Sequence, residues 1–459
     1  MPFIPNTDQD RAEMLAAIGL SSIDELFAEI PAELRLAGEL PIPAGVSENE
    51  LVAELAELAS WNTTGARGSF LGAGMYRHYI PTVVDDLQAR QEFVTAYTPY
   101  QPEASQGTLT AFFEFQTMVA ALLGMEVANA SMYEGSSAAA EAIVLAMNVA
   151  RGRKQVVLSA GLHPHTRRTI GTWLRWTPLE IVEAPLDARG RTELGGRVGS
   201  GTCAVVVQNP NFLGVIEDQD ALAAAARTAG ALSIASVYPI ALGLLKSPGQ
   251  AGFDVAVGDG QALGVPTQLG GPSFGLFATR MEHVRKMPGR IVGQTVDAAG
   301  RRGFALTFQT REQHIRREKA TSNICTNNAL MALRGAIYLA AAGPAGLREV
   351  AEHCLAKAQY AAERISRLEG FELPFGDSFF NEFVVRCPVP AAEVNRAIDR
   401  AGMIGGLDLA PYHPELGENA LLLAFTELTT REQIDLLVRA LASLSRSLPA
   451  RAPGVEVKR

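Results

Sequence analysis

Between residues 155 and 278 the chain alternates short β-rich runs with helical ones, and this alternation narrows the possible folds more than any other feature. The runs are Gln155–Leu158, Cys203–Val207, Leu232–Ala235, Asp254–Val257 and Phe274–Ala278. Most are short and nearly continuous in apolar residues, as strands covered on both faces are. The alanine-rich stretch Asp220–Thr228 lies between the second and third and reads as a helix, as do Leu109–Leu123 and Ala138–Ala150 upstream. Strand, helix, strand at this interval predicts an α/β architecture: a large, mixed, mostly parallel sheet with helices on both faces. Ligands of such sheets bind beyond the carboxyl ends of the strands, so that edge is where a site is sought.

The flanking segments read differently. Residues 1–62 predict an N-terminal helical arm. Ser22-x-x-Glu25 and Ser47-x-x-Glu50 have capping-box spacing, and Leu51, Leu55 and Leu58 recur as one helical stripe beyond Pro41–Gly45. The sheet domain then spans residues 63–330, with Asp187–Gly201 and Lys286–Gly303 as its long loops. Residues 331–459 predict a smaller α+β domain. A helix over Asn328–Ala342 leads into it, followed after Gly343-Pro344 by a longer one to Leu368. Strands at Phe379–Arg386 and Leu421–Phe425 and a closing helix at Thr430–Leu444 complete it.

Composition removes several classes of function. The 459 residues carry a net charge of −9, and the densest basic pairs, Arg301-Arg302 and Arg316-Arg317, sit among polar or acidic neighbours. A nucleic-acid partner, which needs a concentrated basic face, is not expected. No apolar run reaches the ~18–20 residues of a membrane span, and the N-terminus has no basic, apolar leader. Cys203, Cys325, Cys354 and Cys387 are scattered without metal-ligand spacing, so neither disulfides nor a metal site is expected. The expected compartment is the cytoplasm.

Four segments could carry chemistry. Tyr133–Ala142 is a small-residue turn opening a helix. There the amides and hydroxyls of Gly135, Ser136 and Ser137 would suit an anion such as phosphate, or simply form an ordinary N-cap. His163 follows a strand and could stack on a flat ring or merely hydrogen-bond within its loop. Tyr97-Thr98-Pro99-Tyr100-Gln101-Pro102-Glu103 offers rigid aromatic area, as does Gly72–Tyr79; both suit a binding wall or a surface loop pinned by its rings. Asp254–Gln261 followed by Gly270-Gly271-Pro272 is a strand, a loop and a glycine-rich return. That loop contains none of the chain's six lysines; Lys246 and Lys286 are the nearest.

Longer strings carry a resemblance over essentially the whole chain. They are Tyr97–Gly107, Asn129-Ala130-Ser131-Met132-Tyr133, Gln208-Asn209-Pro210-Asn211, Met287-Pro288-Gly289-Arg290-Ile291-Val292-Gly293, Gln309–Thr326 and the start Met1–Thr7. On them the chain resembles subunit 1, the alpha subunit, of the two-subunit glycine dehydrogenase (decarboxylating), the P-protein of the glycine cleavage system. The resemblance implies a fold-type-I pyridoxal-phosphate transferase-like architecture in an α2β2 heterotetramer. It implies too that the partner, glycine dehydrogenase subunit 2 (beta), holds pyridoxal phosphate on its lysine. Counting back five from Pro266 puts Gln261 at that lysine's position here. Tyr238 falls where a carboxylate for the pyridine nitrogen is expected. Gly135, Ser136, Ser137 and His163 then become remnants of a vestigial cofactor pocket.

The implied reaction is glycine decarboxylation with transfer of the aminomethyl group to the lipoamide of H-protein, in a system completed by T-protein and L-protein. Tyr97, Tyr100 and Gln101 are implied to line the partner's pocket, and Thr321 and Asn323 to reach its cofactor phosphate; interface packing alone is the competing reading. Two alternatives remain at this stage: a self-sufficient pyridoxal-phosphate homodimer using Lys246 or Lys319, and a non-catalytic scaffold subunit.

Overall fold

The computed structural model describes residues 5–36, 38–62, 67–94, 96–268, 270–376 and 378–445. The start of the string Met1–Thr7, as far as residue 4, and the expected domain boundary at 62/63 therefore fall outside or at the edge of the described residues. The chain divides into two compact units, Met1–Thr64 and Gly65–Arg459.

In the first unit, helices Asp8–Ala17 and Glu48–Ser60 each open with a capping box, Thr7 with Asp10 and Ser47 with Glu50. The box expected at Ser22 does not form. The segment there is a single 3-10 turn, Ile23–Phe27, and Glu25 instead accepts the Ser21 amide at 3.1 Å. Leu51, Leu55 and Leu58 do share a helix, but at 46, 55 and 44% exposure they bury little of their stripe.

The second unit is built on a seven-stranded sheet. Its strands are β1 (Val127–Ala128), β2 (Gln155–Ser159), β3 (Glu180–Ala184), β4 (Thr202–Asn209), β5 (Leu232–Val237), β6 (Val255–Asp259) and β7 (Gly275–Thr279), in the order β1-β7-β6-β5-β4-β2-β3. β3, β2, β4, β5 and β6 run parallel; β7 is antiparallel to both its neighbours, β6 and β1. Successive strand residues point to opposite faces, so the apolar runs feed two cores at once. Val157, Val205, Val207 and Ala235 join one core with helix Gln106–Leu123, while Val156, Leu158, Val206 and Ile234 join the other with helix Gly135–Val149. Each fully buried valine or leucine contributes about 1.5–3 kcal/mol.

Two features depart from the sequence reading. The supposed loop Lys286–Gly303 holds strand β8 (Ile291–Val296), which pairs in a hairpin with β9 (Arg302–Thr307). Asp297 and Arg301 form the hairpin tip, where Asp297 accepts the amides of Ala299 and Arg301 at 2.9 Å each. Edge strand β3 was missed because its residues are largely exposed and carry no apolar run. The two helices expected around Gly343 are present: the helical stretch Ala329–Ile365 is broken at Gly343, whose φ of +61 and ψ of 179 are not helical, just ahead of Pro344.

That helix also revises the membrane argument, because by length and composition alone it could cross a bilayer. It is instead a core element. Ala332, Ala336 and Ala351 pack into the sheet core, and Ala358, Ala361 and Ile365 pack under a second sheet. This sheet, order β10-β12-β11, comprises β10 (Glu382–Arg386), β11 (Leu407–Asp408) and β12 (Ala420–Ala424), with helices Ala391–Arg400 and Arg431–Ser445 against it. Both sheets lie within the unit Gly65–Arg459.

A close approach joins them at Gly214, in the turn after β4. Its φ is +82, and a Cβ there would lie 1.9 Å from the Glu382 carbonyl oxygen on β10. Backbone on both sides leaves no flexible group to yield. Gly214→Ala is therefore expected to destabilise the fold by about 3 kcal/mol, read as a lower denaturant midpoint at unchanged slope. A wild-type midpoint would show that the two sheets are not locked at this contact.

Candidate functional site

Strands β2, β4, β5 and β6 end side by side, and a cavity of about 600 Å³ opens beyond their carboxyl ends. Its walls come from the turns after those strands, from Gly72–Tyr76 and from Glu134–Ser136, with Glu382 and Tyr412 contributed by the C-terminal part. This is the position the parallel-sheet rule assigns to a ligand.

Gln261, in the turn after β6, is 2% exposed and uses its whole carboxamide. The oxygen accepts the Tyr76 amide at 3.1 Å, and Nε2 donates to the carbonyls of Tyr76 at 3.0 Å and Val265 at 2.8 Å. Tyr76 is thereby held with its ring 4.6 Å from that of Tyr238 and its hydroxyl donating to Glu382 at 2.8 Å. Glu382 also accepts the Ala73 amide at 2.6 Å. Burial pushes its carboxyl up to about 7, against the pull of these two donors.

Of the two readings of the start of helix Gly135–Val149, the structure shows the N-cap, formed by Glu134. Glu134 accepts the amides of Ser136 at 2.5 Å and Ser137 at 2.8 Å, and Asp259 accepts that of Gly135 at 3.1 Å. Two of the chain's own carboxylates thus take the amides that a phosphate would need. Ser137 is buried behind the wall, whereas Gly135 and Ser136 line it.

His163 caps helix Pro164–Leu174, its Nδ1 accepting the His165 amide at 3.1 Å. That leaves Nε2 as the donor, bonded to the Ala73 carbonyl at 3.0 Å, and burial shifts the ring's pKa downward, favouring the neutral form. Tyr238 lines the cavity while its hydroxyl meets His78 Nε2. The other nitrogen of His78 lies 2.6 Å from Glu427, beside the Cys354 thiol at 3.6 Å. His78, Cys354 and Glu427 could in principle hold a metal ion. Both imidazole nitrogens already have partners, so the group closes on itself as a hydrogen-bonded relay.

Among the described residues, none that lines the cavity is a lysine. Lys246 is paired on the surface with Asp220 at 2.6 Å, and Lys319 is exposed. Tyr97, Tyr100, Gln101, Thr321 and Asn323 do not line this cavity either. Tyr97 is 82% and Tyr100 49% exposed, and Tyr97 borders a separate cleft of about 500 Å³ beside Asn327 and Leu330. Glu134 and Asp259 stood within strings read from the sequence, without a capping role. Glu382 had no local signal, since its partner Ala73 lies 309 residues away.

A family model for the glycine cleavage system P-protein matches residues 1–441. A probable glycine dehydrogenase (decarboxylating) subunit 1 of Thermomicrobium roseum is 51% identical over 96% of this chain and 99% of its own. One of the same name from Brevibacillus brevis is 49% identical over 97% and 99%. Among solved structures, glycine decarboxylase (P-protein) of the glycine cleavage system, in inhibitor-bound form, superposes with a TM-score of 0.88 at 47% identity, covering 97% of this chain and 100% of that one. A sphingosine-1-phosphate lyase of Burkholderia pseudomallei shares the fold alone, at a TM-score of 0.65 and 16% identity over 91% and 94%.

The architecture is that of fold-type-I pyridoxal-phosphate enzymes, yet the cavity does not fit that group. No lysine lines it among the described residues, and two carboxylates take the amides at the start of helix Gly135–Val149 that a phosphate would need.

Glu382 makes the cavity pH-sensitive in a defined direction. Its native pKa of about 7 exceeds the ordinary 4.5, so between those values the folded chain holds the proton more tightly than the unfolded chain does. This contribution to stability is complete below 4.5 and lost as pH rises through 7. Glu382→Gln, which stays neutral, is expected to melt like wild type at pH 5 and to be more stable by about 2–3 kcal/mol at pH 8. Parallel stability curves for the two proteins would show that Glu382 ionises normally.

Proposed function

The chain belongs to the glycine cleavage system P-protein family, and we propose that it serves as the subunit without a cofactor, completing the site of a second, pyridoxal-phosphate-bearing subunit. The relatives' name, subunit 1, implies that second subunit. The observation that carries the reading is the cavity, which no lysine lines among the described residues and whose carboxamide and helix amides are engaged by the chain itself. Glycine decarboxylation needs an electron sink to receive the pair released with carbon dioxide. This cavity cannot seat one, so the sink belongs to the partner. The aminomethyl group would then pass to the lipoyl disulfide of H-protein, one sulfur bonding the carbon and the other leaving as the reduced thiol.

The residues of this chain best disposed to take part are those it presents outward. Tyr97, Tyr100 and Gln101 sit on a surface loop, and Asn323 is exposed on the segment before helix Ala329–Ile365 with Thr321 half-buried beside it. In this reading they wall the partner's pocket, exclude water and orient the substrate, while the Gln261 cavity maintains the fold behind them.

Borohydride trapping of the pyridoxal phosphate, followed by peptide mass analysis, tests the assignment. The expected label lies only on the second subunit of the assembled enzyme; label on Lys246 or Lys319 would make this chain an enzyme in its own right. In the assembled enzyme, Tyr100→Phe is expected to slow glycine–carbon dioxide exchange about tenfold, the worth of one well-placed hydrogen bond. Unchanged exchange would remove that hydroxyl from the reaction, and full activity of the second subunit alone would leave this chain a scaffold.

A further inference from the structure

Behind the exposed loop that carries Tyr100 lies a buried arginine with no role in the cavity. Arg290, from the string Met287-Pro288-Gly289-Arg290, is 5% exposed, and its backbone carbonyl accepts the Ala130 amide at 2.8 Å. One guanidinium nitrogen donates to the Thr326 hydroxyl at 3.0 Å and another to the Tyr100 hydroxyl at 3.2 Å, with the guanidinium carbon 5.6 Å from the phenol ring's centre. Its charge is balanced by Glu312, 8% exposed, whose carboxylate lies 4.0 Å from Nε. The same carboxylate lies 3.5 Å from His314, whose ring meets that of Tyr100 edge-on at 5.8 Å.

A guanidinium can only donate, so the Tyr100 oxygen accepts from it and the phenol hydrogen must point elsewhere. With half of Tyr100 exposed, the free direction is outward. We infer that Arg290, neutralised by Glu312, is a positioning residue that fixes the Tyr100 hydroxyl as an outward hydrogen-bond donor toward an acceptor oxygen in the partner's site.

The inference rests on the proposed role of Tyr100 and is tested by a double-mutant cycle in the enzyme reconstituted with the second subunit and H-protein. Arg290→Gln is expected to lower kcat/KM for glycine–carbon dioxide exchange about tenfold when Tyr100 is present, but less than about twofold in the Tyr100→Phe background. Arg290→Lys, which keeps a single donor, is expected to recover part of the loss. A merely structural arginine would lower activity equally in both backgrounds. If Tyr100→Phe lowers activity and Arg290→Gln multiplies that loss, the positioning role is overturned while the role of Tyr100 stands. If Tyr100→Phe alone changes nothing, both fall. Should Arg290→Gln fail to assemble, Arg290→Lys carries the same cycle.

Discussion

A carboxamide presents an acceptor and two donors on one plane, and Gln261 spends all three on main-chain groups of Tyr76 and Val265. An ammonium group has donors only. A lysine at this position would leave the Tyr76 amide unpaired and place a charge where the side chain is almost wholly buried. The contacts that follow depend on this clamp. Tyr76 lies against Tyr238 and bonds Glu382, and Tyr238 meets His78, which is paired with Glu427. A path of polar contacts thereby runs from the turn after β6 through the Gly72–Tyr79 segment to the residues following β12. Removing one link would strand a buried partner, costing about 1–3 kcal/mol.

The same logic inverts the electrostatics of the cavity. A helix N-terminus at the edge of a parallel sheet ordinarily attracts an anion, because its free amides and macrodipole favour negative charge. Here Glu134 and Asp259 satisfy those amides from within, and Glu382 adds a third carboxyl to the wall. An incoming phosphate would lose its donors and meet like charges, each worth about 1–4 kcal/mol at 4 Å. Burial shifts Asp259 upward as well, which eases the cost of holding so many acids together.

How much of this the sequence disclosed follows from the range of each interaction. The central strands were legible because burial on both faces forces nearly unbroken apolar runs, whereas β3, at an exposed edge, left none. The hairpin of β8 and β9 was hidden by the charges at its tip. The lysine-free turn at Gln261 was visible as a local string, but its clamp on Tyr76 spans 185 residues and the Glu382 bond to Ala73 spans 309. The two readings of the helix start stayed open for another reason. Gly135, Ser136 and Ser137 look alike whether a ligand or the preceding glutamate takes their amides, and only the extended backbone at Glu134 turns its carboxylate onto them.

Polar satisfaction distinguishes the two faces of the chain more sharply than residue type does. Gln261, Glu134, Asp259, Tyr76 and Glu382 leave no buried side-chain atom without a partner among the described residues, although they surround an open cavity. Around Tyr97–Tyr100 the situation is reversed. The aromatic rings face outward while buried Thr98, Arg290, Arg311 and Glu312 each retain an unpaired atom. The Arg290 guanidinium donates to the hydroxyl of a half-exposed Tyr100, whereas the polar groups of the cavity wall are spent within the chain, which favours a working contribution from the Tyr100 face over a purely supporting one.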